Sequence, residues 1–365
     1  MKARILATLL LFCSIVATAQ TTITTYTPGV STEGVAYYLP KTAINISITV
    51  EKTTYIPGEL CQYADRYLRI NNISSKEDTH YTIQSATLST EGLPDETKLY
   101  HILFAPNSIA PLVSMTEEGI LQAINTMVPE RNNENACILP APVEGKILDP
   151  RSFMTAEMLM TGSKAKLAEL VAKEIYDIRD SKNLIIRGQN EHMPKDAESL
   201  QIILAGLEEQ EKALSQLFVG TTIREISTQT YQVIPEGNAE RVVLGRFSRK
   251  LGLLHGEDLA GTPIYIDVKS KVAVPEPTVE HTAEIAQSKK GKKSKPENLQ
   301  DGLVYIIPGK AEVRVYTNTK DLTKGLFTMA QFGNAETLSS TLLTKKGNIK
   351  VTLDPITGAL LRVEE

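Results

Sequence analysis

Apolar and polar residues alternate along "AINISITVEKTTY", with Ile44, Ile46, Ile48 and Val50 on one face and Asn45, Ser47 and Thr49 on the other. A period of two sustained over this length predicts a half-buried strand. Pro57 and Gly58 then mark a turn. Leu60, Tyr63, Ala64, Tyr67 and Leu68 follow at helical spacing and predict one short helix. "HYTIQSATLS" and "KLYHILFAP" return to a strand pattern, and the span 125–151, rich in Pro, Asn and Glu, reads as irregular connection.

The period then lengthens. Leu167, Leu170, Val171, Ile175 and Ile178 share one face of a helix that Ser163 is placed to cap. Leu200, Ile203, Leu204, Leu207, Leu214, Leu217 and Phe218 repeat the pattern, with Asp196 as N-cap and Gly220 just past the end. Between them lies "YDIRDSKNLIIRGQNEHMPKD", where Asp177, Arg179 and Asp180 close the first helix and Pro194 opens the second. Two such helices joined by a connector predict an antiparallel pair. From Thr221 the period is two again, through "TTIREISTQTYQVIP", "ERVVLGRFS" and "TPIYIDVKSKVAV". After a stretch without periodicity, "GLVYIIPGKAEVRVYT" reads as strand, "AETLSSTLL" as a short helix and "NIKVTLDPITGALLRVE" as a hairpin.

These elements predict an α+β protein: two β-rich domains with a central antiparallel helical hairpin. The expected divisions are a signal peptide over 1–19, a β-rich N-terminal domain over 20–150, the hairpin over 151–220, and a β-rich C-terminal domain over 221–365 with a disordered Lys-rich insert at 275–300. "GVAYYLPK" at 34–41 echoes "GLVYIIPG" at 302–309, which suggests a similar β unit near each end.

The opening "MKARILATLLLFCSIVATAQ" sets Lys2 and Arg4 before an apolar run and small residues before Gln20, the pattern of a cleaved export signal. Cys13 lies inside the apolar run behind Phe12, which disfavours a lipid anchor. No later stretch is apolar enough to predict a membrane span. Loss of the leader takes the formal charge from −4 to −6, and an acidic chain is a poor partner for nucleic acid. An oxidising compartment permits a disulfide between Cys61 and Cys137; two buried free thiols are the equal alternative.

Chemistry-bearing motifs are few. The chain has no nucleophile elbow, zinc helix, Walker loop, dinucleotide turn or calcium loop, so no cofactor or metal is expected. It has no Trp to stack on a sugar ring. His255 with Glu257 and Asp258 is one catalytic candidate, as a base oriented by a carboxylate, although Gly and Asp there also suit a turn. His192, inside the helix connector, is the other. Lys289, Lys290, Lys292, Lys293 and Lys295 could meet an anionic surface at the periphery of an outer membrane, or be a solvated loop.

"EIYDIRDSKNLIIRG", "MPKD" and "LEEQEKALSQLFVG" resemble a family of secreted proteins from Bacteroidetes carried as a domain of unknown function. The resemblance continues through "GRFSRKLGLLHGEDLAGTPIYI", "MAQFGNAETL" and "DPITGALLRVE", and covers most of the chain beyond the leader. It implies export into a Gram-negative envelope and no particular activity; the Lys-rich insert and the two cysteines are not features of it. The expectation is a non-enzymatic envelope protein, periplasmic or associated with the outer membrane, that binds a protein partner or supports an assembly. The alternative is a secreted hydrolase or binder of glycans or peptides with a site assembled from distant residues.

Overall fold

The computed structural model describes residues 22–25, 34–103, 112–127, 148–189, 196–271, 302–339 and 349–364. The expected leader, Cys137, His192 and the insert with its lysines lie outside these residues. Among the described residues strands make up 52% against 25% helix, in three antiparallel sheets, so the α+β class expected from the sequence is wrong and the described structure is mostly β. The two long helices are present, but they stand beside the sheets and do not divide two β domains.

The first sheet runs in the order β1 (Thr22–Thr25), β3 (Asp78–Leu103), β2 (Val35–Ile56) and β6 (Thr221–Val233). The second runs β11 (Asp321–Ser339), β10 (Gly302–Thr317), β9 (Thr262–Ser270), β7 (Ala239–Ser248) and β8 (Gly252–Leu254). These two sheets pack face to face. Ile44, Ile46, Ile48 and Val50 of β2 meet Ile264, Ile266 and Val268 of β9, Val313 and Val315 of β10, and Met329 of β11. The alternation that predicted the strand is therefore the inner face of a sandwich.

The third sheet, β13 (Leu360–Glu364), β12 (Lys350–Leu353), β5 (Leu121–Ile124) and β4 (Val113–Met115), closes one end. Leu121, Ile124, Val351 and Leu353 pack there against Tyr37, Ile102, Leu303 and Ile306. Hydrogen bonds cross the boundaries expected at 150 and 221: β6 pairs along β2, and β12 pairs with β5. The "AETL" stretch, expected as helix, is the tail of β11, held by Leu338 opposite Leu303 and Ser339 opposite Gly302. Strand pairing overrides its helix propensity.

At the other end of the sandwich are α1 (Ala64–Leu68), α2 (Ala156–Met160), α3 (Lys164–Ile186) and α4 (Ala197–Val219). Leu60, Ala64 and Leu68 pack with Val171, Ile175, Leu214 and Phe218. Asp196 accepts from the Ser199 amide at 2.7 Å, the capping bond expected of it. Ser163 occupies the N-cap of α3 but its side chain makes no capping bond.

The echo between residues 34–41 and 302–309 extends into the pairing. Going from Tyr38 to Pro40, β2 advances two residues while its partner steps five, from Leu99 to Pro94. Going from Ile307 to Gly309, β10 does the same against β11, which steps from Asn334 to Met329. Each long strand absorbs a three-residue shift near its proline, and a proline is tolerated inside a strand at such an irregularity. Each is also held by a glycine turn of the third sheet: the Tyr38 amide donates to Gly119 at 3.0 Å and the Ile306 amide to Gly358 at 2.9 Å. Both turn glycines have positive φ, 85° and 72°. Each long strand finally carries a shorter antiparallel strand on its other side, β6 on β2 and β9 on β10.

Candidate functional site

The loop of His255, Glu257 and Asp258 is a turn between β8 and β9. All three side chains are exposed. The Asp258 amide donates to the His255 carbonyl at 3.0 Å, and the Asp258 carboxylate accepts from the Ala260 amide at 3.0 Å. Arg246 clasps the loop from below, with Nε on the Gly256 carbonyl at 2.9 Å and a terminal nitrogen on the Gly261 carbonyl at 3.2 Å. Asp258 thus closes a turn and does not orient the imidazole. Among the described residues no group of three or more His, Cys, Asp and Glu side chains is placed to hold a metal ion. Cys61 sits half-buried at the start of the 3-10 turn Cys61–Tyr63, its amide donating to Gly58 at 3.1 Å.

The first part of the connector falls inside α3, which runs on to Ile186; Asp177, Arg179 and Asp180 do not close it. The reason lies in the apolar spacing, since Ile178 and Ile185 continue the buried stripe of Val171 and Ile175. Arg179 reaches across to Glu211 of α4 at 2.6 Å. Lys182 meets the same carboxylate at 3.2 Å and Glu208 at 3.6 Å. Burial alone would raise the Glu211 carboxyl, but hydrogen bonds from Arg179 and Lys182, with their charges, outweigh it and hold it below the ordinary carboxylate value. Residues rising along α3 meet residues falling along α4, so the helices run antiparallel and are braced near their middle.

Beyond the brace Ile185 is still buried, but several apolar side chains of the pair are exposed. Leu214 and Phe218 of α4 are fully buried, whereas Ile202 is 67% and Ile203 43% exposed. On the facing end of α3, Leu184 and Ile186 are also exposed, Ile186 at 70%. Ile203 belongs to the stripe that the sequence predicts to be buried, yet the described structure leaves 43% of it exposed. The sequence signal for Ile203 was present but pointed to the core, because a stripe shows which face is apolar and says nothing of what it meets; the pattern did not single out Ile202 at all.

A further cluster occupies the outer face of the second sheet. Arg241, with φ of 55° where the register of β7 shifts, stands over Tyr265, whose ring lies 5.5 Å from that of Tyr316. Arg314 stands over Tyr316 and pairs with Asp321, and Asp267 accepts from both the Tyr316 hydroxyl and the Arg241 amide. These groups answer one another across four strands and brace the sheet.

Among the described residues no helix is long and apolar enough to cross a membrane, which leaves crossing by strands aside. No curated protein and no solved structure matches the chain. A family model described as a domain of unknown function, DUF4831, matches residues 33–361. The match takes in both long helices, the whole second sheet and the other two sheets apart from β1 and the end of β13, and the chain belongs to the DUF4831 family.

Proposed function

We propose that this is a non-enzymatic envelope protein of Bacteroidetes, exported on its N-terminal signal, and that it acts in the periplasm or at the outer membrane by binding another protein or supporting an assembly. The exposed outer half of the helix pair carries this reading. Ile186, Ile202 and Ile203 lie at one end of two braced helices, and an exposed apolar face on a rigid element suits helix-mediated protein contact. The basic n-region, apolar run and small residues before Gln20 support export.

The test is mild crosslinking in the native envelope, followed by capture through a C-terminal tag and quantitative mass spectrometry. The wild-type chain is expected to bring down one envelope protein in stoichiometric amount, and the double variant Ile186→Ser with Ile202→Ser to lose it while folding normally. Recovery of the chain alone, or of the same partner at the same yield by the variant, refutes the helix face as a binding surface.

A further inference from the structure

We infer that the outer edge of β6 pairs with β6 of a second copy of this chain, antiparallel about a two-fold axis at Ser227, so that two four-stranded sheets become one. The inference stands apart from the helix face. Exposed edge strands are ordinarily protected from such pairing by proline, lysine, bulges or brevity. β6 has none of these. Its thirteen residues pair one for one with β2, from Thr221 opposite Ile56 to Val233 opposite Ile44, without a register shift, and contain no Pro, Gly or Lys. Its two charges are answered within the chain: Glu225 pairs with Lys52 at 2.9 Å and Arg224 with Glu51 at 3.6 Å. The edge is long, free of register shifts and without net charge.

The second sheet shows what such an edge accepts. β9 lies on β10 as β6 lies on β2, and the outer side of β9 carries the antiparallel strand β7. Among the described residues β6 has no strand on its outer side.

The sequence of β6 selects a second copy as the occupant. With the axis at Ser227, Ile226 faces Thr228, Glu225 faces Gln229, Arg224 faces Thr230, Ile223 faces Tyr231, Thr222 faces Gln232 and Thr221 faces Val233. Each pair occurs twice, all thirteen residues are used, and no like charges are opposed. Placing the axis at Glu225 or Arg224 would oppose two carboxylates or two guanidinium groups. A contact of this kind is isologous and closes on itself as a dimer.

The test uses the processed protein in sedimentation velocity, with two substitutions at the axis. Wild type is expected to be a concentration-dependent dimer. Ser227→Lys sets two ammonium groups against each other and is expected to weaken association about a hundredfold, with the circular dichroism spectrum unchanged. In a background with Cys61→Ser and Cys137→Ser, Ser227→Cys is expected to form a disulfide-linked dimer under mild oxidation. Thr222→Cys, whose two copies would lie roughly 34 Å apart at about 3.4 Å per residue, is not. The crosslinking result holds even if the lysine variant folds poorly. A wild-type monomer, a dimer that Ser227→Lys leaves intact, or linking by Thr222→Cys as readily as by Ser227→Cys overturns the inference.

Discussion

Replacing Tyr37 by phenylalanine removes one oxygen from the point where the three sheets meet. That oxygen donates to the Val304 carbonyl at 3.2 Å and accepts from the Val304 amide at 3.2 Å. Tyr37 is 0% and Val304 2% exposed, so no solvent replaces the lost bonds. Two backbone groups of β10 are then left buried without partners, at about 1–3 kcal/mol each. Taking about 3 kcal/mol in all and a urea m-value of about 3 kcal/mol/M, the unfolding midpoint is expected to fall by about 1 M. The assay is urea unfolding followed by far-UV circular dichroism, with the slope checked for constancy. A midpoint shift below about 0.2 M at constant slope would show that the hydroxyl does not sustain Val304, and the reasoning would fail.

The same residue sets an alkaline limit. Burial pushes the Tyr37 phenol well above its ordinary value; the Val304 bond opposes this and the Tyr100 phenol adds to it. The folded state therefore favours the neutral phenol. Its contribution is fully present below the unfolded value of about 10 and is lost as pH rises above it toward the folded value. Tyr37→Phe is expected to flatten that part of the stability profile.

Three further substitutions probe other joints. Thr42 accepts from the Ala330 amide at 3.0 Å and donates to the Ile356 carbonyl at 2.9 Å, so Thr42→Val is expected to cost about 2–3 kcal/mol in urea unfolding. Gly220 holds φ of 79° and ψ of −175°, a region all but closed to other residues, and a Cβ there would collide with the Ile56 carbonyl oxygen, so Gly220→Ala is expected to cost about 1–3 kcal/mol from the backbone alone and more from the contact, read as a lower melting temperature. Glu211 is held below its ordinary value, so its stabilisation is present above the unfolded value of about 4.3 and is lost as pH falls through the folded value. Glu211→Gln is expected to narrow the gap between neutral and acid stability; an unchanged acid profile would remove the helix brace as its source.

The sequence pattern made legible those elements whose own residues decide their state. The strand at Ile44–Val50 and the stripes of α3 and α4 follow from which side chains must leave water. What it could not show was pairing between distant segments. β2 runs unbroken through Pro40 because its partner strand accommodates the shift there, a property of β3 and not of the proline. "AETL" carries helix formers and becomes strand because Leu303 lies opposite Leu338. The candidate loop at His255 was visible as polar residues between strands, but its role depended on Arg246 beneath it. The exposed end of the helix pair was hidden for the opposite reason, since an apolar stripe reads as core wherever it falls.

The partnership of β2 with β6 also bears on the order of folding. A chain is made from its N-terminus, and Ile56 exists long before Thr221, its neighbour in the sheet. The β2–β3 hairpin is complete at Leu103, but its row of isoleucines has no cover until β9 and β10 have been made. Contacts this far apart in sequence make for slow folding, and a nascent hairpin with a bare apolar face is prone to mispair. The early hairpin is thus the segment for which a holding chaperone would matter most.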